Sequence, residues 1–201
     1  MNSYTSSLKA FSNLISTLEK LPTIGKKSAQ KMAYSLCVEN KLLGLNIAHA
    51  IENAALVVKK CQKCFSLSES EICEICLDDT RQNGELCIVA NSRDVFIIEE
   101  IGWFQGRYFV LDSQQDLEHI DFCLLNQRIQ AESIQEVIFA LSPSLANEAI
   151  MLYIEDRIKA PAPPHQPLRF SKIAQGVPTG IGLDSIDQLS LLAAINSRVK
   201  L

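Results

Sequence analysis

The chain has 201 residues, 47% of them hydrophobic and 21% charged, which is the balance of a folded globular protein and excludes collagenous, disordered and low-complexity classes. No run approaches the roughly 18 apolar residues of a membrane span. Met1, Asn2, Ser3 and Tyr4 do not open a basic stretch followed by an apolar one, so a cytoplasmic location without a membrane partner is expected.

The net charge of −4 conceals an asymmetry: residues 1–60 hold eight lysines and three acids, a balance of +5, against −9 for residues 61–201. A basic segment on an acidic body points to a localised anionic partner such as a phosphate backbone, with a solvated basic face as the alternative.

In chain order, Leu8, Phe11, Leu14, Ile15, Leu18 and Leu21 recur at helical steps until Pro22, which stops a helix. A second helical pattern after Gly25 runs through Ala29, Met32, Ala33, Leu36 and Cys37, and a third through Leu45, Ala48, Ile51, Ala55 and Val58. From residue 86 the rhythm alternates. Leu86–Val89, Tyr108–Leu111 and Val137–Ala140 read as strands, while Asp94–Ile101, a segment through Phe122, Leu125 and Ile129, and Leu145–Ile158 read as helices. Such alternation predicts an α/β parallel sheet. Pro161, Pro163, Pro164 and Pro167 enforce an extended connection; Leu168–Ala174 then supplies a fourth strand, and residues 183–199 read as a helix.

Cys61-x2-Cys64-x8-Cys73-x2-Cys76 carries the strongest chemical signal. Each pair sets two thiolates on a tight turn, and two pairs supply the four soft ligands of a closed, tetrahedral structural zinc site, the alternative being four unbound thiols or disulfides. Cys37, Cys87 and Cys123 fall on apolar faces, where a free cysteine packs as a small hydrophobe. Leu21-Pro22-Thr23-Ile24-Gly25-Lys26-Lys27 forms a hairpin between two helices. The entrance of the second helix exposes unpaired N–H groups beside Lys26 and Lys27, a way to hold a nucleic-acid backbone without reading bases; an ordinary helix–helix turn is the alternative. Lys59 and Lys60 either extend that basic surface or complement a helix end. His49, His119 and His165 stand in no triad arrangement, so no catalytic histidine is expected. Gly176, Gly180 and Gly182 lack the ending of a phosphate-cradling loop and read as turns.

The stretches LPTIGKKSAQKMA at 21–33, CQKCFSLSESEICEIC at 61–76, RQNGELCIV at 81–89, GRYFVL at 106–111 and IAQGVPTGIGLDSID at 173–187 together resemble the RecR family of bacterial recombination mediators over nearly the whole chain. The resemblance implies a multidomain α+β protein, with a helix-hairpin-helix domain at 1–58, a four-cysteine zinc finger at 59–78, a Toprim domain with a parallel sheet at 79–174 and a C-terminal segment for subunit contact at 175–201. It further implies zinc on Cys61, Cys64, Cys73 and Cys76, and DNA binding centred on Thr23, Gly25, Lys26 and Lys27. Ring-like homo-oligomers, and work alongside a RecO-like mediator in loading recombinase at single-stranded gaps, follow from the same likeness.

The chain departs from the family pattern at Thr23, where many such hairpins have glycine, and in the short polar segment 112–120, where the family has a Gly- and Pro-rich loop. The family's acidic residues after the first and third Toprim strands are replaced by Ala90 and by Ala146-Asn147, leaving Asp94 and Glu148. Two separated carboxylates make a poor magnesium clamp, and both also read as acids favoured at helix starts. A scaffold without catalytic residues is therefore expected, against two alternatives: a metal-dependent phosphoryl-transfer enzyme of the Toprim kind, and a protein adaptor that does not touch DNA.

Overall fold

The computed structural model describes residues 7–111, 120–159 and 168–174, with positions 180, 185, 188, 190, 192 and 194 beyond them. The chain divides into two compact units, Met1–Val58 and Lys59–Leu201.

The first unit is helical. Helix α1, Lys9–Leu18, ends a turn earlier than its apolar spacing suggests, because Leu21 precedes proline and is pushed out of the helical region. Leu21 to Ile24 form a turn closed by the Ile24 N–H on the Leu21 carbonyl at 3.2 Å. Proline in second place and Thr23 in third with φ of 68° make the pattern of a type II turn, a position glycine normally fills. Helix α2, Lys26–Tyr34, packs against α1 and buries Ala29 and Ala33. It continues as a π-helical turn over Ser35–Glu39. Asn40 then caps α3, Lys41–Val57, by accepting from the Leu43 N–H at 3.0 Å. Gly44 lets α3 approach the preceding turn closely, since a Cβ there would run into the Leu36 carbonyl oxygen.

One expectation fails in this unit. Cys37 is exposed: the π-helical turn breaks the phase that placed it on the inner face. The stripe on α3 is also exposed, with Leu45 at 58% and Ile51 at 65%.

The second unit opens with a small finger: β1 (Lys59–Lys60) pairs antiparallel with β2 (Leu67–Ser68), and a short helix α4 (Glu74–Leu77) follows. The elements β3 (Glu85–Val89), α5 (Ser92–Ile101), β4 (Arg107–Val110), α6 (Phe122–Ala131), β5 (Glu136–Ala140), α7 (Leu145–Lys159) and β6 (Arg169–Lys172) come next. Their four-stranded sheet has the order β4-β3-β5-β6 and every pairing is parallel. Both faces are covered. Leu86 and Ile88 point with Phe109, Val137 and Phe139 toward Leu125, Ile154 and Ile158, while Cys87 and Val89 point with Tyr108 and Val110 toward Val95 of α5. Coverage on two sides explains why β3 and β4 read as unbroken apolar runs.

Cys87 is buried as expected, but Cys123 is exposed; on the first turn of α6 it is Phe122 that packs against the core. The loop at 112–119, His119, His165, Gly176, Gly182 and the helix read over 183–199 lie outside the described residues, single positions within that helix apart. Gly180 lies in a turn with φ of 85°.

A β-branched residue in the left-handed region costs about 1–2 kcal/mol. Thr23→Gly is therefore expected to stabilise the helical unit by about 1 kcal/mol, read as a rise in the urea midpoint of its unfolding at unchanged slope.

Candidate metal centre and nucleic-acid interface

The four cysteines converge. Cys61 and Cys64 sit on one tight turn, and Cys73 and Cys76 on the entrance and first turn of α4. All four are buried, and their Sγ atoms lie within 4.8 Å of one another. Cys64 and Cys73 sulfurs are 3.5 Å apart, and the Cys73 N–H donates to the Cys61 sulfur at 3.3 Å. A tetrahedron with zinc–sulfur bonds of about 2.3 Å separates its sulfurs by about 3.8 Å, so the donor set and its spacing fit zinc. Phe65, with φ of 61°, turns the chain out of the first knuckle.

The thiols act strongly on one another, and hydrogen bonds from Cys64 and Cys76 draw Cys73 well down. The hydrogen bond with Cys73, then that with Cys76 and burial, push the Cys64 thiol far above its ordinary value. Cys76 is pushed up to about 12: its hydrogen bond with Cys64 draws it down, but the one with Cys73 and burial outweigh this and the pull of the Arg128 charge. Without a cation the sulfurs share protons; zinc displaces them and binds the thiolates. These four cysteines form a structural zinc site, closed to water or substrate.

Behind the knuckle lies a set of charged groups that sequence spacing did not reveal. Arg128 on α6 is 4% exposed and Glu132 is 7% exposed. The guanidinium makes a bidentate pair with Glu132, at 3.1 Å from Nε and 3.0 Å from Nη2. Its Nη1 donates to the Lys63 carbonyl on the zinc knuckle at 3.0 Å and to the Tyr108 carbonyl on β4 at 2.9 Å. Arg107 meets the same Glu132 at 3.3 Å and donates to the Asp78 carbonyl at 3.2 Å. The Val110 N–H donates to the Cys64 carbonyl at 2.8 Å, and Phe65 stands edge-on to Phe109 with centroids 5.4 Å apart. The finger is thus fastened to the edge of the sheet. On the far side of β4, Arg81 and the Tyr108 hydroxyl both donate to Glu99, at 2.8 and 2.6 Å to Oε1. Burial alone would raise the Glu99 carboxyl, but these hydrogen bonds and the Arg81 charge hold it below its ordinary value.

The hairpin belongs to the first unit. Gly25 precedes α2 with extended backbone, and no side chain caps the helix start. Thr23, Gly25, Lys26 and Lys27 are all exposed, so the structure leaves the first-turn amides and two ammonium groups open on one short segment. Lys59 and Lys60 lie on β1 and not at a helix end, since Val58 already leaves α3 in extended conformation.

Ligands enter a parallel sheet at the C-terminal strand ends where the strand order reverses, here between β3 and β5. That place offers Ala90-Asn91 and Leu141-Ser142. Asn91 accepts from the Arg93 and Asp94 N–H groups while Asp94 accepts from the Asn91 N–H at 3.2 Å, a capping box. Glu148 is paired with Lys172 at 3.8 Å, and the Asn147 amide donates to the Ser142 carbonyl at 2.7 Å. Among the described residues the four cysteines are the only metal-capable cluster of three or more such ligands. His49 is exposed and faces Glu52 on its own helix.

Fold and site together define a zinc-stabilised Toprim protein carrying a basic helical hairpin. Residues 11–55 match the family model of the RecR helix-hairpin-helix, residues 58–78 that of the RecR zinc finger domain with four cysteines, and residues 84–168 that of the Toprim domain. The chain is 54% identical over 200 residues to the Recombination protein RecR of Helicobacter pylori (strain Shi470), a match that covers 100% of both chains. It is 44% identical to the Recombination protein RecR of a Nitratiruptor species and 43% identical to that of Campylobacter jejuni (strain RM1221), each over 96% of this chain and 98% of the relative. The chain belongs to the RecR family. No helix among the described residues is long and apolar enough to cross a membrane.

Purified without chelator, the protein is expected to carry one zinc per chain by elemental analysis. Arg128→Ala removes the bidentate partner of Glu132, which keeps only Arg107, and takes a donor from two carbonyls in the interior; it should cost about 3–5 kcal/mol in urea unfolding. The same change should weaken zinc retention against a chelator by about 10–100-fold, as loss of a group that orients metal ligands does.

Proposed function

We propose that this protein is a DNA-binding recombination mediator in recombinational DNA repair, working in the cytoplasm as a homo-oligomeric clamp or scaffold. With a RecO-like protein it helps load recombinase at single-stranded gaps. The observation that carries the reading is the open start of α2, where uncapped N–H groups and exposed Lys26 and Lys27 share one short segment in a region of net charge +5. Such a segment takes a phosphate and carries no means of reading bases. One copy gives modest affinity, and several copies displayed by an oligomer multiply it through effective concentration. The exposed apolar stripe of α3 supports assembly, because a face of that kind on a soluble unit marks a contact surface.

The role we assign is not enzymatic. In-line phosphoryl chemistry draws on clustered carboxylates that hold its metal ions. Here Asp94 is engaged in capping α5 and Glu148 in an ion pair with Lys172. The zinc finger serves to fasten the knuckle to the sheet, and Thr23 and Gly25 shape the turn that presents the two lysines.

Replacing Lys26 and Lys27 together by Glu should weaken binding to all DNA sequences about equally and flatten the slope of affinity against salt, since each phosphate contact releases counterions. Titrations at several salt concentrations with unchanged affinity and slope would move the DNA site elsewhere, with Lys59, Lys60 and Lys63 next in line. Incubated with DNA and magnesium or manganese at neutral pH, the pure protein should bind without cleaving, joining, relaxing or priming. Turnover abolished by Asp94→Asn or Glu148→Gln would establish the enzyme instead.

A further inference from the structure

Helix α5 turns an apolar face outward that stays exposed among the described residues. Phe96 and Ile97 are each 59% exposed, Ile101 is 64% and Trp103, just past the helix end, is 87%. Arg93 and Glu100 are exposed at the two ends of this stripe, outside the ion pairs formed among the described residues. Positions 93, 96, 97 and 100 follow i, i+3, i+4, i+7 and so share one helix face, with the two charges about 10 Å apart along the axis.

The order of these groups is symmetric in a specific sense. A two-fold axis crossing the face between Phe96 and Ile97 would set a second α5 antiparallel to the first. Phe96 then lies opposite the second copy's Ile97, and Arg93 opposite its Glu100, with each contact occurring twice as an isologous interface requires. The charges are also placed against the helix dipole, the cation in the first turn and the anion in the last. An isolated helix favours the reverse, and cross-helix pairing compensates for it.

We infer that the outer face of α5 is a homotypic contact surface, on which a second copy of this chain packs antiparallel through Phe96 and Ile97 and is held in register by two Arg93–Glu100 pairs. This inference is independent of the DNA-binding reading, and it names one surface through which copies of the chain associate.

The test uses sedimentation of the full chain over a range of concentrations in low salt. Arg93→Glu or Glu100→Arg alone sets like charges opposite each other twice, and each should halve the weight-average mass where the parent chain is assembled. The double exchange restores complementarity and should restore the mass. Both exchanges agree with the dipole of α5, so the fold is retained, and circular dichroism of each variant checks this. Ile97→Asp should dissociate the assembly as well, and no second change at 93 or 100 should rescue it. Single exchanges that sediment like the parent at every concentration overturn the proposal. So does a double exchange that stays dissociated, which would give the face to a different protein. DNA titrations of the same preparations keep the two readings apart, since loss of DNA binding without loss of mass bears on the hairpin alone.

Discussion

The second unit depends on one buried arrangement, the Arg128 guanidinium held between Glu132, the Lys63 carbonyl of the zinc knuckle and the Tyr108 carbonyl of β4. A finger of some twenty residues has too little apolar surface to fold alone, which is why such modules take a metal. Zinc fixes the knuckles but does not by itself fix where the finger sits. That position comes from Arg128, from the Val110 N–H donating to the Cys64 carbonyl, and from Phe65 packed on Phe109. The bidentate geometry matters because a buried charge is tolerated only when its hydrogen-bonding capacity is met. Four thiolates on one zinc ion leave the centre with a net negative charge, and the buried Arg128 cation stands close enough to act on both Cys76 and Cys64.

Across the sheet, the strand-end crevice holds the caps of two helices. In a parallel sheet the region past β3 and β5 collects helix starts, and each start needs acceptors for its first N–H groups. Asn91 and Asp94 supply them for α5, and Ser144 supplies its hydroxyl to the Asn147 N–H of α7 at 3.1 Å. With Ala90 following β3 and Ser142 tied to Asn147, Asp94 stabilises a helix entrance and Glu148 pairs with Lys172.

How legible this was in the sequence follows from the range of the interactions involved. The zinc site could be read because its ligands are paired within three residues and zinc accepts few alternatives to four sulfurs. The parallel sheet could be read because burial on both faces leaves strands such as Leu86-Cys87-Ile88-Val89 uniformly apolar. Arg128 and Glu132 could not be recognised. An arginine and a glutamate four apart on a helix look like a solvated surface pair, and only the arrival of a carbonyl 65 positions earlier in the chain makes them interior groups. The two-residue strands β1 and β2 were invisible for the opposite reason, being too short to carry a period. Cys37 misled because its helical phase is broken by a π-helical turn, which has no mark in hydrophobic spacing.

The places where the single chain fails to satisfy its own pattern carry the remaining functional information. The helical spacing read on α3 marks an apolar stripe, and Leu45 and Ile51 on it are solvent-exposed. Amphipathic spacing records that a face is suited to burial without recording whether the covering surface belongs to the same chain. In the mediator proposed above, such burial would join copies that each hold a few phosphates, and the bound state would gain strength from their number. The strained Thr23 turn fits the same logic. Its left-handed backbone sets the angle at which α2 leaves the hairpin, and hence the direction in which, on that proposal, each copy aims Lys26 and Lys27.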